Sequence, residues 1–399
     1  ATIIDSVTGG DMIFRGLANT NTIAIGDDAN SDLDISDAAV DMVQSSVTNL
    51  EIGWDSAQVD AGGNNQTGAI TVNGASVTTN GGVVGESGTG VIFNADLIIQ
   101  ADSATVSVTD DIASTGIVQS LTVNTGSGLT INNDSAFITD DNAITINGNV
   151  TLADGVDWSI NTDRQNLATG ADVTITGNIQ GTGGGGNETL YIETGINSGN
   201  VTLGTDGTNV INGGGANNFG DITIDAAGSV TIHSSIDGDT LTVNDVDGGT
   251  NHATTVTLND PIDLDNGGAG DVLVITATNV VFSNDATITT GTGGNVDING
   301  TGAGSVTMPN TAAGAHTIDG TFNIDNQFGG GVTLGENITT TGDVITIASA
   351  TTITENITLD TTSGAAAGAN ISLAAVEAEG LATGETLTLN AGTGGDITI

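Results

Sequence analysis

The chain has 399 residues, a formal net charge of −46, 61 Gly, only 2 Pro and no Cys. The lack of cysteine excludes disulfides and thiolate metal sites. With two cationic residues in the whole chain, binding to nucleic acid or to an anionic membrane is also excluded, because phosphate contacts need Lys and Arg. Hydrophobic residues still make up 37%, so the chain can bury a core, and its Val, Ile and Thr favour an all-β fold.

The first 60 residues are rich in Asp and differ in pattern from the rest. Apolar residues at helical spacing after Ser36, a candidate N-cap, favour a short helix. Alternation at 33–35 favours an atypical strand instead. In either case we predict that residues 1–60 form a cap or an assembly segment. The helically spaced residues are Val40, Val43, Val47 and Leu50, and the acidic cluster comprises Asp28, Asp32, Asp34, Asp37 and Asp41.

Residues 61–399 repeat a short module: an aliphatic residue, usually Thr, a second aliphatic residue, and then Gly, Asn or Asp. Each module predicts a short strand whose aliphatic side chains point inward and whose Thr points outward. The Gly, Asn and Asp residues between modules predict turns, because they tolerate left-handed backbone and because Asn and Asp side chains can hydrogen-bond to their own backbone. The modules lie at 70–72, 121–123, 129–131, 144–146, 150–152, 173–175, 201–203, 222–224, 230–232, 241–243, 256–258, 306–308, 332–334, 357–359, 387–389 and 397–399.

Two architectures accommodate such strands: an antiparallel meander or sandwich, and a parallel β-helix (β-solenoid). Sandwich strands are usually longer and richer in aromatic residues, whereas aromatic residues make up 3% of this chain. Near-identical modules stack best when equivalent residues of neighbouring coils lie on one another. We therefore predict a parallel β-solenoid over 61–399, with coils of roughly 20 to 30 residues.

The sequence resembles bacterial surface proteins of the filamentous-haemagglutinin and β-strand-repeat type over about 61–399. The phrases that carry the resemblance are LTLNAGTGGDITI at 387–399, GDITI at 220–224 and GSVTI at 228–232. The resemblance implies a right-handed β-helical shaft, exported to the cell surface, that adheres or builds layers and fibres.

Calcium is the cofactor that the acidic residues favour. Oxygen ligands alternate from Asp28 to Asp34, as at the start of an EF-hand loop, although Ala39 stands where the final Glu is required. Gly267 to Leu273 is similar to a nonapeptide Ca²⁺-binding repeat. The alternative is that these acids are turn residues. The candidate ligands are Asp28, Asn30, Asp32, Asp34, Asp245, Asp247, Asp263, Asp265 and Asp271, with Asn251 and Asp260 beside them.

We predict that the chain is not an enzyme and has no catalytic or cofactor-binding residues beyond these metal ligands. His233, His252 and His316 lack metal-ligand spacing. Adjacent acids such as Asp140 with Asp141 suit turns better than acid–base pairs, because neighbours on a strand face opposite ways. Arg164 is the one candidate for polysaccharide-lyase chemistry.

The predicted function is a secreted structural protein: a self-assembling subunit of a surface layer, sheath or fibre, or the shaft of a large adhesin. Its expected partners are copies of itself, through the blunt end at Ile399 and the repeated Thr faces. No stretch reaches the ~18 apolar residues of a membrane span. The alternative is an adhesin that binds cell-surface glycans or another surface. Trp54, Trp158 and Tyr191 are then the sugar-stacking candidates, although packing in the core or in turns is favoured for each.

Overall fold

The computed structural model describes most of the chain and is all-β. The described residues are 3–7, 10–16, 18, 20–26, 31–36, 47–54, 66–73, 90–93, 95–114, 119–163, 170–183, 187–195, 198–213, 218–243, 252–283, 285–309, 315–363, 367–379 and 384–399. They contain 41 strands and no helix. The chain divides into two compact units, Ala1–Leu203 and Gly204–Ile399.

The first unit contains strands β1 to β20. Their bounds are β1 Ile3–Val7, β2 Asp11–Arg15, β3 Ile23–Gly26, β4 Leu33–Ile35, β5 Asn49–Trp54, β6 Ile70–Asn73, β7 Gly90–Phe93, β8 Asp96–Ala101, β9 Val106–Val108, β10 Asp111–Ser114, β11 Leu121–Thr125, β12 Leu129–Ile131, β13 Ser135–Ile138, β14 Ile144–Asn147, β15 Val150–Leu152, β16 Asp157–Asn161, β17 Val173–Ile175, β18 Ile179–Gly181, β19 Thr189–Glu193 and β20 Val201–Leu203.

The second unit contains strands β21 to β41. Their bounds are β21 Val210–Asn212, β22 Phe219–Asp225, β23 Ser229–Ile232, β24 Ser235–Val243, β25 Ala253–Leu258, β26 Ile262–Leu264, β27 Gly270–Phe282, β28 Ile288–Thr290, β29 Gly294–Gly300, β30 Ser305–Met308, β31 His316–Ile318, β32 Phe322–Ile324, β33 Gly331–Leu334, β34 Ile338–Thr340, β35 Ile345–Ile347, β36 Thr351–Ile353, β37 Ile357–Asp360, β38 Ile371–Leu373, β39 Val376–Ala378, β40 Leu387–Asn390 and β41 Ile397–Thr398.

In the first unit most strands pair in parallel with the strand three places further along the chain. β11, β14, β17 and β20 form one such stack, in which Leu121, Ile144, Val173 and Val201 occupy equivalent positions. Three strands therefore make one coil, and the next coil repeats them in register. Residues that hydrogen-bond between neighbouring coils lie mostly 23 to 30 positions apart, in agreement with the predicted coil length. The predicted parallel β-helix is confirmed; its handedness stays a prediction.

The second unit repeats this stacking with longer strands at its start. β29, β32, β35, β38 and β41 stack in parallel and in register. β24 and β27 each run through a corner of the coil. β24 pairs with β26 in one sheet and with β27 in another, while β27 pairs with β29 along its first part and with β30 near its end.

The core consists of the aliphatic pairs of the repeated modules. In β11, Leu121 and Val123 are fully buried while Thr122 between them is half-buried and faces outward. The same buried–intermediate–buried pattern recurs in β14, β17 and β20. In the last coil the pattern weakens, since Ile397 and Ile399 are 49% and 69% exposed. The inward and outward directions predicted from the sequence are thus confirmed through most of the described modules.

The N-terminal segment departs from the parallel stacking at one place. β1 pairs antiparallel with β2, whereas β2 pairs in parallel with β5, and β3 with β4 and β6. Leu33, Asp34 and Ile35 form β4, which is the strand alternative weighed above. Leu50 lies in β5 rather than in a helix, and Val40 and Val43 lie outside the described residues. The boundary between a cap and the solenoid at residue 60 stays a prediction.

Close contact between coils leaves no room for a side chain at some glycines, which gives a test of the stacking. A Cβ at Gly304 would lie 1.7 Å from the carbonyl oxygen of Thr278 in the neighbouring coil, whereas a Cβ at Gly268 would meet nothing within 4 Å. We expect Gly304→Ala to destabilise the second unit by about 1–3 kcal/mol through overpacking, and Gly268→Ala to be neutral or slightly stabilising. Urea unfolding of the two variants measures the difference; equal stability would contradict this stacking geometry.

Candidate functional site

Four of the predicted calcium ligands, Asp28, Asn30, Asp245 and Asp247, lie outside the described residues, as do Asn251 and Arg164. The structure describes the other five, which lie at three places: Asp32 with Asp34, Asp263 with Asp265, and Asp271.

Asp32 and Asp34 face solvent beside strands β3 and β4. Asp32 Oδ2 accepts hydrogen bonds from the Thr22 backbone N–H at 3.0 Å and from the Thr22 hydroxyl at 3.1 Å. These bonds lower the pKa of the Asp32 carboxyl. Asp34 is exposed in the middle of β4. Asp32 therefore already links two segments of chain, and the structure brings no carboxylate cluster together here among the described residues.

Asp271 lies near the start of β27, within the segment that is similar to a nonapeptide calcium repeat. Its Oδ1 accepts a hydrogen bond from Asn295 Nδ2 at 3.1 Å. Asp271 and Asn295 are register partners in β27 and β29. The side chain thus bonds to the neighbouring coil.

Asp263 and Asp265 lie together and are joined by a third acid, Asp237. Asp237 and Asp263 are register partners in β24 and β26. Burial raises the pKa of Asp263, and the charges of Asp265 and Asp237 raise it further. Burial also raises the pKa of Asp237, followed by the charge of Asp265. Asp263 Oδ1 is buried and accepts no hydrogen bond. These carboxylates therefore repel one another, and few hydrogen-bond donors are present to compensate their negative charge.

Asp260 belongs to a different acidic group from Asp263 and Asp265. Burial raises its pKa first, followed by the charge of Asp285, while His233 opposes this rise. His233 Nδ1 in turn lies 3.1 Å from Asn259 Nδ2. The sequence placed Asp260 with its near neighbours in the chain, whereas coil stacking brings it close to residues of other coils.

A recurring group of described Asp and Asn side chains near strand starts bonds to the backbone of the next coil. A side-chain oxygen before or at the start of a strand accepts a hydrogen bond from a backbone N–H at the equivalent place one coil later, at 2.7–3.0 Å. This differs from the predicted bonding of turn residues to their own backbone, although Asp206 and Asp360 do bond locally to Thr208 and Thr362. The acceptor and donor pairs include Asp96 with Ser120, Asn149 with Asn178, Asp172 with Asn200, Asn295 with Thr321, Asn337 with Thr358, Asn356 with Thr386 and Asn370 with Asp396.

One acidic cluster, Asp140, Asp141 and Asp163, was not predicted as a metal site. A carboxylate oxygen from each lies within 4.8 Å of the others. Asp140 and Asp163 are 1% and 2% exposed. Asp141 has a φ of 57°, in keeping with the turn predicted for the Asp140–Asp141 pair. The set of oxygen ligands suits a hard cation such as Ca²⁺.

Register explains how Asp163 reaches the other two acids. Ile138 at the end of β13 pairs with Asn161 at the end of β16. Asp140 and Asp163 lie two positions beyond these residues and form a bridge with each other. Asp140 and Asp163 thus lie at equal distances from two paired strand ends. This spacing is present in the sequence, but it predicts the contact only once the register of β13 and β16 is known.

The aromatic candidates for sugar stacking are placed differently from one another. Trp158 is 1% exposed and packs edge-on against Phe137 at 5.5 Å between ring centroids, so the core packing favoured for it is confirmed and it does not form a sugar-stacking surface. The Trp54 side chain lies outside the described residues. Tyr191 faces outward and lines a groove of about 270 Å³ with Asp111, Asp134, Ala136, Asp157 and Ser159.

His316 occupies the core of the second unit. Its Nε2 lies 2.8 Å from Glu336 Oε2, and both side chains are buried. Its Nδ1 accepts a hydrogen bond from the Ile288 backbone N–H at 3.1 Å, so the ring proton lies on Nε2 and faces Glu336. Since water does not reach this pair, its role is internal bonding between coils.

Comparison of the chain with protein-family models, with curated proteins and with solved structures finds no match. Within the described residues there is no helix long and apolar enough to cross a membrane.

The raised pKa of Asp263 gives a pH-dependent prediction. A pKa that is higher in the folded than in the unfolded chain means that the folded state binds the proton more tightly, so stability falls as pH rises from about 4, the unfolded value. We expect Asp263→Asn to be more stable than the parent at pH 7, with the difference vanishing below pH 4. Thermal unfolding followed by circular dichroism across this range measures it.

Asp360 in the same unit is the matched control, because the Thr362 hydroxyl lowers its pKa. A carboxyl whose pKa is lower in the folded chain stabilises the fold at pH values above its unfolded pKa. This stabilisation is lost as the pH falls through the folded pKa. Asp360→Asn should therefore be less stable than the parent at pH 7. If both variants shift stability in the same direction, the assignment of charge strain to Asp263 is incorrect.

Proposed function

We propose that this chain is a non-enzymatic structural protein of the cell exterior: a self-assembling subunit of a surface layer, sheath or fibre, or the shaft of a large adhesin. The observation that carries the proposal is the in-register stacking of near-identical coils within each unit. A fold of this kind adds stability with each coil through the same nearest-neighbour contacts. It suits a protein whose task is mechanical.

The repeated outward faces support lateral or end-to-end association. In the first unit Thr122, Thr145, Thr174 and Thr202 form one ladder across four stacked strands. Such a ladder presents the same chemical group at each coil, spaced by the ~4.8 Å between neighbouring strands. A second copy with the same spacing can match it over several coils.

The charge supports a location outside the cell, where cations are abundant. A net charge of −46 destabilises a compact fold unless counter-ions screen it. Ca²⁺ is the counter-ion that the carboxylate clusters fit best. Secretion and calcium binding are therefore two parts of one proposal.

Electron microscopy over a range of protein concentrations, with Ca²⁺ or with a chelator, tests self-assembly. We expect filaments or sheets that grow with concentration and form more readily with Ca²⁺. Thr174→Asp should weaken assembly because it places a charge in the middle of the threonine ladder. Ser127→Asp is the control, since it adds the same charge to an exposed bend of the same unit. Isolated monomers at every concentration would contradict the proposal.

A calcium titration tests the acidic cluster of Asp140, Asp141 and Asp163. Bound Ca²⁺ at 100 times its dissociation constant stabilises a fold by about 2.7 kcal/mol. We expect the parent to unfold at a higher temperature in Ca²⁺ than in chelator, and Asp163→Asn to lose this difference. Asp34→Asn removes an exposed acid of the same unit and should retain it. An equal effect of Ca²⁺ on both variants would exclude this cluster as the site.

A further inference from the structure

The groove beside Tyr191 is formed by the outward residues of three strands that stack in successive coils. Ala136 in β13, Ser159 in β16 and Tyr191 in β19 are register partners. Their inward neighbours Phe137 and Ile160 are fully buried. The outward side chains thus change from a methyl group to a hydroxymethyl group to a phenol ring, and the two small ones leave a recess against the large one.

Tyr191 is unusual among the aromatic residues of this chain. All seven Phe residues and Trp158 are at most 8% exposed, whereas Tyr191 is half-buried on the outer face of its strand. Among the Phe, Trp and Tyr side chains that the structure describes, it is the one ring open to solvent. The core therefore does not explain its presence.

Three carboxylates surround the same recess and are held in place by hydrogen bonds. Asp111 Oδ1 accepts from the Ala136 N–H at 2.8 Å, and Asp134 Oδ1 accepts from the Asp157 N–H at 3.0 Å. Asp157 Oδ1 accepts from the Thr189 hydroxyl at 2.7 Å. Asp134 and Asp157 are exposed, and their Oδ2 atoms accept no hydrogen bond from the described residues. The groove thus combines one aromatic face with fixed acceptors.

We propose that this groove binds the amino-sugar residue of a cell-surface glycan, a pyranose that carries a protonated amine. The apolar face of the sugar ring stacks on Tyr191, while the ammonium and hydroxyl groups donate to Asp134 and Asp157. An ammonium beside an aromatic ring gains a cation–π attraction as well. This inference goes beyond the structural role and does not depend on self-assembly.

Charge and size select this class of ligand. Three carboxylates in a chain of net charge −46 repel uronic and sulfated sugars and attract cations. The volume of about 270 Å³ lies just below the range of about 300–1,000 Å³ for sites that hold drug-sized ligands. One sugar ring fits such a volume better than a longer segment does.

Isothermal titration calorimetry with β-1,4-linked glucosamine oligomers tests the proposal. We expect binding by the full chain, at least about tenfold weaker binding for Tyr191→Thr and for Asp157→Asn, and weaker binding at high salt. Asp172→Asn is the matched control, because Asp172 is also an exposed acid that accepts a hydrogen bond from the next coil, here from the Asn200 backbone N–H, and it does not line the groove. It should bind within about twofold of the parent.

Two further ligands separate this site from alternatives. The N-acetylated oligomer lacks the positive charge, and equal affinity for it would overturn the amine as the recognised group. A lysine oligomer has the charge without the sugar ring, and binding equal to that of the glucosamine oligomer would overturn the pyranose. Absence of binding by the parent, or equal loss in Asp172→Asn, would overturn the site. Circular dichroism of each variant confirms that it is folded.

Discussion

Every coil in this fold depends on the next coil for its backbone hydrogen bonds. The strands are three to five residues long in most coils, too short to form a stable sheet on their own. They are stable because equivalent aliphatic residues of successive coils stack on one another. Val173, for example, lies between Ile144 and Val201 in one continuous ladder. Aliphatic β-branched residues suit this arrangement, since they fill a pleated, buried face without a polar atom to satisfy.

The same stacking determines what the polar residues do. Asn and Asp are frequent because a side-chain oxygen at the start of a strand can accept the N–H that the next coil presents, as Asp172 does for Asn200. Glycine is required where a turn of one coil touches the backbone of another, as at Gly304. A composition that looks like low complexity therefore reflects a small set of positions repeated many times.

The sequence was sufficient to predict the strands of the repeated modules, most of their inward and outward faces and the solenoid, because these follow from a local period of two and from turn residues. It was not sufficient where the result depends on coil length. Asp163 meets Asp140 only because the coil between them places both at the same distance from paired strand ends. The faces of Trp158 and Tyr191, by contrast, follow from the local period, because Trp158 alternates in phase with Ile160 and Tyr191 lies between Leu190 and Ile192. Asp260 and Asp263 are three residues apart and still join different groups.

Stacking also explains why the chain has both well-stabilised and strained acids. In a parallel stack an acid that recurs at one position meets another acid a single strand spacing away, so like charges accumulate along the coil axis unless donors intervene. Where hydroxyl and N–H groups intervene, as at Asp32 and Asp360, the pKa of the carboxyl falls. At Asp237 and Asp263 burial raises the pKa first, and the negative charge of Asp265 raises both values further, with Asp237 adding to the rise at Asp263. Lys and Arg would relieve the repulsion within the chain, but the sequence has two of them in total. The remaining repulsion has to be compensated from outside by cations, and this makes the stability of the fold depend on the ionic composition of its surroundings.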